Sequence, residues 1–234
     1  MVAPLPPAER VSWQRGCRII RSVYPPIDLF EDIADPEDWP ALIAIEQKTN
    51  PRLMASIGEI DRVEPARRVS GPGATYLMAP FTHVSPDRAS RFGDGTFGVL
   101  YIAREFETAL AETVHHHQRF MAATAEPENW SSQFREILLD VDCDLLPLET
   151  RAHAALLRPD DYALSQAFAA AARAAGANGI HYPSVRNEGG ACVALFYPDC
   201  AANAVQGRHL GYHWNGSRVD LVRDLTAGKV YRVL

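Results

Sequence analysis

The chain has 234 residues, 47% of them hydrophobic and 22% charged, and its 23 Lys and Arg against 29 Asp and Glu leave a net charge of −6. That length suits one large domain or one domain with a sizeable extension, and the apolar content argues against intrinsic disorder. An acidic chain of pI about 5.7 is a poor candidate for sequence-independent nucleic-acid binding, which runs on Lys and Arg neutralising phosphates, but it leaves room for a local basic pocket around one anionic ligand.

No apolar run approaches the roughly 18 residues of a membrane span. The opening MVAPLPPAERVSWQRG has no hydrophobic stretch of the kind a secretory signal carries. Cys17, Cys143, Cys192 and Cys200 form no C-x-x-C pair. The expectation is a soluble cytoplasmic protein with reduced, buried thiols and with neither a membrane nor a nucleic acid as direct partner.

Residues 1–16 are expected to be a loose segment, their first ten rich in Pro and Ala. Residues 17–23 (CRIIRSV) read as a strand that Pro25 and Pro26 stop, because Pro cannot donate to a ladder. Residues 27–60 look helical in pieces: Asp35 is placed as an N-cap before Pro36, Asn50-Pro51 breaks the helix, and Arg52 onward restarts it. Ser70-Gly71-Pro72-Gly73-Ala74 is a turn cluster, and residues 76–81 are a short apolar run. Residues 97–103 (FGVLYIA) are the clearest buried strand, followed by a helix over 105–122 with Phe106, Leu110, Val114, Phe120 and Met121 at helical spacing. A strand over 132–141, an Ala-rich helix over 160–176 ended by Gly176, and strands at 180–183 and 191–197 come next. Residues 212–214 and two short strand-like pieces, RVDLV and KVYRV, complete the chain. Strands and helices mix without strict alternation, so the expected class is α+β rather than a doubly wound parallel sheet.

The standard chemical motifs are missing. There is no P-loop, no G-x-G-x-x-G after a strand, no H-E-x-x-H and no G-x-S-x-G elbow. His115-His116-His117 cannot grip one ion, since consecutive helical residues point about 100° apart, and no metal is expected. What remains is a spread constellation: Arg91 in the loop before the buried strand, Tyr101 near its end, and Glu112 two turns into the next helix.

Residues 90–112 (SRFGDGTFGVLYIAREFETALAE) resemble the hallmark of RES-domain proteins: a Ser-Arg-aromatic loop, a V-x-Y-x-A type strand and a helix with E-T-A-x-x-E. The Ser70–Ala74 turn resembles that family's S-G-x-G-A turn. Residues 17–20 resemble its opening strand, Ser165 its Ser at a helix start, and IHYPS at 180–184 its late strand. The resemblance spans about residues 17–200. It departs from short members by some 50 residues between the opening strand and the turn, so Arg18, Arg21 or Arg68 remains open as the family's first arginine. It implies one domain over 17–234 with a helical insertion at about 27–68, and a mixed or antiparallel sheet like the NAD-binding fold of ADP-ribosyltransferases, with helices around it.

It further implies an NAD⁺-consuming toxin of a bacterial toxin–antitoxin pair. Its partner would be an Xre-like helix-turn-helix antitoxin. ADP-ribose would pass to a protein of nucleotide metabolism, or to water or phosphate. Cleaving the nicotinamide–ribose bond builds an oxocarbenium-like centre that a carboxylate stabilises, the role expected of Glu112. Arginine forks suit the pyrophosphate, the role expected of Arg18 and Arg91. An aromatic face suits cationic nicotinamide, hence Tyr101. Ser165 at a helix start suits an anion or a ribose, with Arg18 and Ser165 joining Glu112 as catalytic candidates and Ser184 a further NAD contact. The competing expectation is a module that binds a nucleotide or partner without turnover.

Overall fold

The computed structural model describes residues 4–22 and 58–233. The helices expected between residues 27 and 57 lie outside the described residues. The last part of the expected insertion, residues 58–68, is not helical in the α sense but forms two single 3-10 turns, Ile60–Arg62 and Pro65–Arg67. Among the described residues the elements run β1 (Glu9–Arg21), α1 (Ala74–Thr82), β2 (Leu100–Ala103), α2 (Phe106–Ala122), β3 (Trp130–Pro147), α3 (Ala163–Ala174), β4 (Gly179–Pro183), β5 (Ala191–Leu195), β6 (Ala201–Trp214), β7 (Val219–Asp224) and β8 (Val230–Arg232). The class is α+β with one mixed sheet, as expected: β3 and β4 run parallel and the other pairs antiparallel. No described helix is long and apolar enough to cross a membrane.

The N-terminal segment is not loose up to residue 16. β1 starts at Glu9, because Val11 and Trp13 alternate with exposed Ser12 and Gln14 and are buried. Arg10 holds this end to Asp142 of β3 at 2.8 Å. The short apolar run 76–81 is helical, inside α1. β3 outruns its expected end at Val141 because the alternation continues through Asp-Val-Asp-Cys-Asp-Leu: Ile137, Leu139, Val141, Cys143 and Leu145 share one buried face.

The pairings β1–β2, β2–β5, β5–β4, β4–β3 and β3–β1 close a ring, from which β6, β7 and β8 extend beside β3. Two seams of this ring are thin. β1 meets β2 at Cys17 and Ala103 alone, and β3 meets β4 at two residue pairs. One core cluster takes Val11, Trp13, Leu100, Ile102, Val193, Leu195 and the odd-numbered β3 residues, with Leu77, Met78 and Phe81 of α1 packed on it. The other lies under α2 and α3 and joins Phe106, Ala109, Val114, Phe168 and Ala172 to Tyr182, Leu210 and Tyr212. The helix α2 and the loop into β2 thus lie on one face of the sheet, which is where the candidate chemistry gathers.

Candidate active site

Glu112 projects from the middle of α2, partly exposed, and its Oε1 accepts a hydrogen bond from the Ser184 hydroxyl at 2.7 Å. Ser184 follows β4 directly. Its Oγ accepts the main-chain N–H groups of Arg186 and Asn187, both at 3.1 Å, while its own N–H donates to Gly190 O. The turn 184–190 is itself docked on α2: the Asn187 amide donates to Thr108 Oγ1 at 2.9 Å, and Thr108 lies one helical turn before Glu112 on the same face. Gly190 permits this approach, since a Cβ there would lie 2.5 Å from Thr108 Oγ1. The hydroxyl of Ser184 therefore has one proton to give and a fixed direction in which to give it.

Arg91 reaches the same region from the loop before β2. It is 8% exposed; its guanidinium donates to Arg158 O at 2.7 Å and lies 4.9 Å over the Tyr162 ring. Among the described residues no carboxylate pairs with it. The Tyr101 hydroxyl holds this loop in place: it bonds Ser90 Oγ at 2.8 Å and accepts the Phe92 N–H at 2.9 Å. Burial pushes the Tyr101 phenol up to about 12, so it stays a neutral donor. Glu112, Arg91 and Tyr101 all act electrostatically on Tyr182, whose phenol burial raises well above the usual range. Cys192 is raised as well, by burial and then by the Glu112 charge, so the floor of the site is neutral. Replacing Tyr101 by Phe removes the hydroxyl from two loop partners. We expect a loss of about 1–3 kcal/mol in urea unfolding, together with weaker ligand binding at Arg91.

Ser165 stands behind this arrangement rather than in it. It is 1% exposed, and its hydroxyl donates to Arg91 O at 2.6 Å and to Tyr162 O at 3.0 Å. It neither caps α3, whose N-cap is Tyr162, nor presents itself to an anion. With Gln166, which donates to Ser90 O, it grips the Arg91 loop. Here the Ser165 hydroxyl is committed to the Arg91 carbonyl, which gives it a positioning role toward that loop.

Arg18 is also placed elsewhere. It stands opposite Ile137 in the β1–β3 register, on the face with Leu139 and Val141, whereas Cys17 and Ile19 face α2. Its guanidinium donates to Tyr101 O at 3.1 Å across the gap where β1 and β2 part, and burial lowers its pKa to about 10, which leaves it charged at neutral pH. Arg21 lies 4.9 Å over the Phe120 ring, two turns beyond Glu112, and buried Arg68 donates to Val63 O and Ile60 O. The structure brings Glu112, Ser184, Arg91 and Tyr101 together, sets Arg18 on the main chain of Tyr101, and commits Arg21 and Arg68 to Phe120 and to Val63 O.

Arg186 and Asp160 were not among the expected residues. Asp160 Oδ1 lies 3.1 Å from Arg186, 3.5 Å from Arg119 and 3.8 Å from His115 Nε2, which ties the loop before α3 to α2 and to the turn 184–190. The three consecutive histidines point to different surroundings. His115 faces Asp160, whereas His117 is buried edge-on against Phe134 and Tyr212. Among the described residues no group of three or more His, Cys, Asp or Glu is placed to hold a metal ion.

Burial, reinforced by the charge of Arg21, lowers His117 from 6.5 to about 4. The folded state favours the neutral ring. Its contribution is therefore fully present above pH 6.5 and is drawn down as the pH falls toward 4, by roughly 3 kcal/mol in total. His115, His116 and His181 are lowered as well and act in the same direction. Urea midpoints across this range should fall less steeply for His117→Phe than for the unaltered chain.

A protein-family model described as the RES domain matches residues 65–215. The chain belongs to the RES-domain family. The matched span of the RES domain contains Arg91, Tyr101, Glu112, Ser165 and Ser184, and β1 with Arg18 precedes it. An uncharacterized protein, y4oC, of Sinorhizobium fredii (strain NBRC 101917 / NGR234) is 30% identical over 210 residues, 88% of this chain and 85% of that protein. Among solved structures, the crystal structure of the M. tuberculosis MbcT–MbcA toxin–antitoxin complex contains a chain that aligns over 85% of this one and 86% of its own length, with 15% identity and a TM-score of 0.42.

Proposed function

We propose that this RES-domain protein is the toxin of a toxin–antitoxin pair and that it cleaves the nicotinamide–ribose bond of NAD⁺. The observation that carries the reading is the Glu112 carboxylate held by the Ser184 hydroxyl at 2.7 Å, together with an almost buried arginine, Arg91, that acts on the same Tyr182 and Cys192 as Glu112 and has no carboxylate partner among the described residues. A lone guanidinium supports binding of a pyrophosphate, and an oriented carboxylate supports stabilisation of positive charge.

In the proposed reaction the bond between ribose C1′ and the pyridinium nitrogen breaks, and its electron pair goes to nicotinamide, which leaves neutral. Positive charge spreads over C1′ and the ring oxygen. Glu112 faces that charge and accepts a ribose hydroxyl, while Ser184 fixes the rotamer of the carboxylate. A nucleophile's lone pair forms the new bond to C1′, and its proton is released to solvent water. The acceptor in this proposal is a side chain of a protein of nucleotide metabolism, with water and phosphate as the other acceptors of the same centre. An Xre-like helix-turn-helix antitoxin would neutralise the protein by covering this cleft.

The test is NAD⁺ loss with the purified full chain, free of partner, in phosphate buffer and then in cell extract with labelled NAD⁺. Loss that depends on Glu112 supports the reading, and the fate of the label names the acceptor. A folded chain that binds NAD⁺ and leaves it intact under every condition overturns it in favour of binding without turnover.

A further inference from the structure

Two arginines near Glu112 are held by one short stretch of main chain. Arg91 donates to Arg158 O at 2.7 Å, and Arg186 Nη2 donates to the next carbonyl, Pro159 O, at 2.6 Å. The same Nη2 lies 3.1 Å from Asp160 Oδ1, which also faces Arg119 at 3.5 Å and His115 Nε2 at 3.8 Å. Residues 158–160 thus offer two carbonyl oxygens and a carboxylate to guanidinium groups from the loop before β2, from α2 and from the turn after β4. Arg186 belongs to the same turn as Ser184, whose hydroxyl holds Glu112. Glu112, Arg186, Arg119 and Arg91 all act electrostatically on His116, so the four groups lie around one ring.

The match is lopsided. Arg91 meets a neutral carbonyl, and Arg186 and Arg119 share the single charge of Asp160. Arg158 and Asp161 pair with each other at 3.0 Å, so neither changes the balance. Glu188, exposed in the turn 184–190, forms an ion pair with none of these arginines among the described residues. A hydrogen bond from a guanidinium to an ionised oxygen is about twice as strong as one to a neutral oxygen. A carbonyl is therefore a weak occupant for Arg91. Asp160 is 67% exposed, whereas the Arg186 side chain is 16% exposed. Ion pairs to so exposed a carboxylate are weak. The cations are enclosed, and the segment that faces them is easily displaced.

We infer that residues 158–160 are a built-in occupant of an anion subsite, and that Arg186 serves this subsite together with Arg91. The carbonyls of Arg158 and Pro159 and the Asp160 carboxylate stand in for the oxygens of a pyrophosphate. An incoming pyrophosphate displaces the segment and takes both guanidinium forks, and the segment returns when the anion leaves. No covalent bond changes in this exchange. The inference rests on the NAD⁺ reading for the identity of the anion, the pyrophosphate of the dinucleotide. It adds to that reading a second arginine and a competitor within the chain itself. The segment weakens apparent affinity according to the fraction of molecules from which it has withdrawn.

The test titrates the full-length protein with inorganic pyrophosphate by calorimetry and measures NAD⁺ turnover in the same samples. Asp160→Asn keeps the shape of the segment and removes its charge, so pyrophosphate should bind about five- to tenfold more tightly. Asp161→Asn removes the neighbouring charge and keeps an oxygen for the Ala163 N–H. It should change affinity by less than about twofold, which separates displacement of the segment from a general loss of negative charge. Arg186→Gln should weaken pyrophosphate by at least about tenfold, and Arg186→Lys, which keeps the charge but not the fork, by about threefold. In the Arg186→Gln background, Asp160→Asn should tighten binding by less than about twofold, because the two residues act on each other. Hydrogen exchange of a peptide covering residues 158–161 should quicken when pyrophosphate binds. Several results would overturn the inference: no pyrophosphate binding by either the unaltered chain or Asp160→Asn, equal tightening by the two Asp→Asn variants, unchanged affinity in both folded Arg186 variants, or slower exchange at 158–161 in the complex. Pyrophosphate binding with this pattern in a chain that leaves NAD⁺ intact would remove the NAD⁺ reading and leave the subsite standing. Glu112-dependent NAD⁺ cleavage with affinity unchanged in the Arg186 variants would do the reverse.

Discussion

Replacing Glu112 by Gln is expected to lower NAD⁺ cleavage by about a thousandfold. The amide has the shape of the carboxylate and keeps an oxygen that accepts from Ser184, which donates to Glu112 Oε1 at 2.7 Å in the native site. In the proposed reaction, what disappears is the negative charge that would face the oxocarbenium-like centre, an interaction that would be stronger in the transition state than with bound NAD⁺. The dissociation constant for NAD⁺ should therefore move by no more than about threefold while the rate collapses. Ser184→Ala should cost about tenfold, because it removes the orientation of the carboxylate but not its charge. Nicotinamide release read by chromatography separates the two variants. Equal losses in rate and affinity for Glu112→Gln would assign Glu112 to binding alone.

The second large effect is on stability. Phe168 of α3 is fully buried in the cluster beneath α2 and α3, between Ala169 and Ala172 on its own helix and the sheet below. Small neighbours on α3 cannot extend into a vacated ring volume, so Phe168→Ala should leave most of its cavity open and cost about 3–5 kcal/mol. For a chain of this length that is a drop of roughly 6–20 °C in Tm. Because Ser165 and Gln166 in the first turn of α3 hold the Arg91 loop, the variant should lose ligand affinity before it loses its secondary structure. Circular dichroism at 222 nm, followed alongside ligand binding during heating, would reveal that order.

The sequence made the apolar rhythms legible and the long-range partnerships illegible. The helix of Phe106, Val114 and Met121 was readable because its spacing is local. So was the strand 100–103, which the structure trims from its expected start at 97. β6 escaped notice apart from residues 212–214. Its pairing with β3 shifts register twice, and the bulges break the alternation that would have marked the strand. Within the candidate site, Glu112, Arg91 and Tyr101 were reachable through a contiguous block of chain. The pairing of Glu112 with Ser184, 72 residues away, was not. Thr108 was within reach: it sits four residues before Glu112, and that spacing on a helix places it beside the carboxylate. Ser165 shows the limit: a hydroxyl near a helix start has two uses, accepting an N–H at the end or donating to a carbonyl elsewhere, and only the fold decides between them. For Arg18, strand alternation sends the side chain to the opposite face from its neighbours Cys17 and Ile19.

The closed ring of strands has a consequence for the birth of the protein. β1 is made well before its ladder partner β3, which is more than a hundred residues downstream, as the Arg10–Asp142 pair across 132 residues illustrates. Two further members of the ring, β4 and β5, come later still, and Ser184 emerges between them. A ribosome must therefore add 72 residues beyond Glu112 before its carboxylate can meet its hydroxyl partner. Truncated or stalled chains carry the glutamate without the group that aims it. For a protein whose proposed activity would poison its own host, this order of synthesis keeps the nascent chain unarmed until Ser184 has been made.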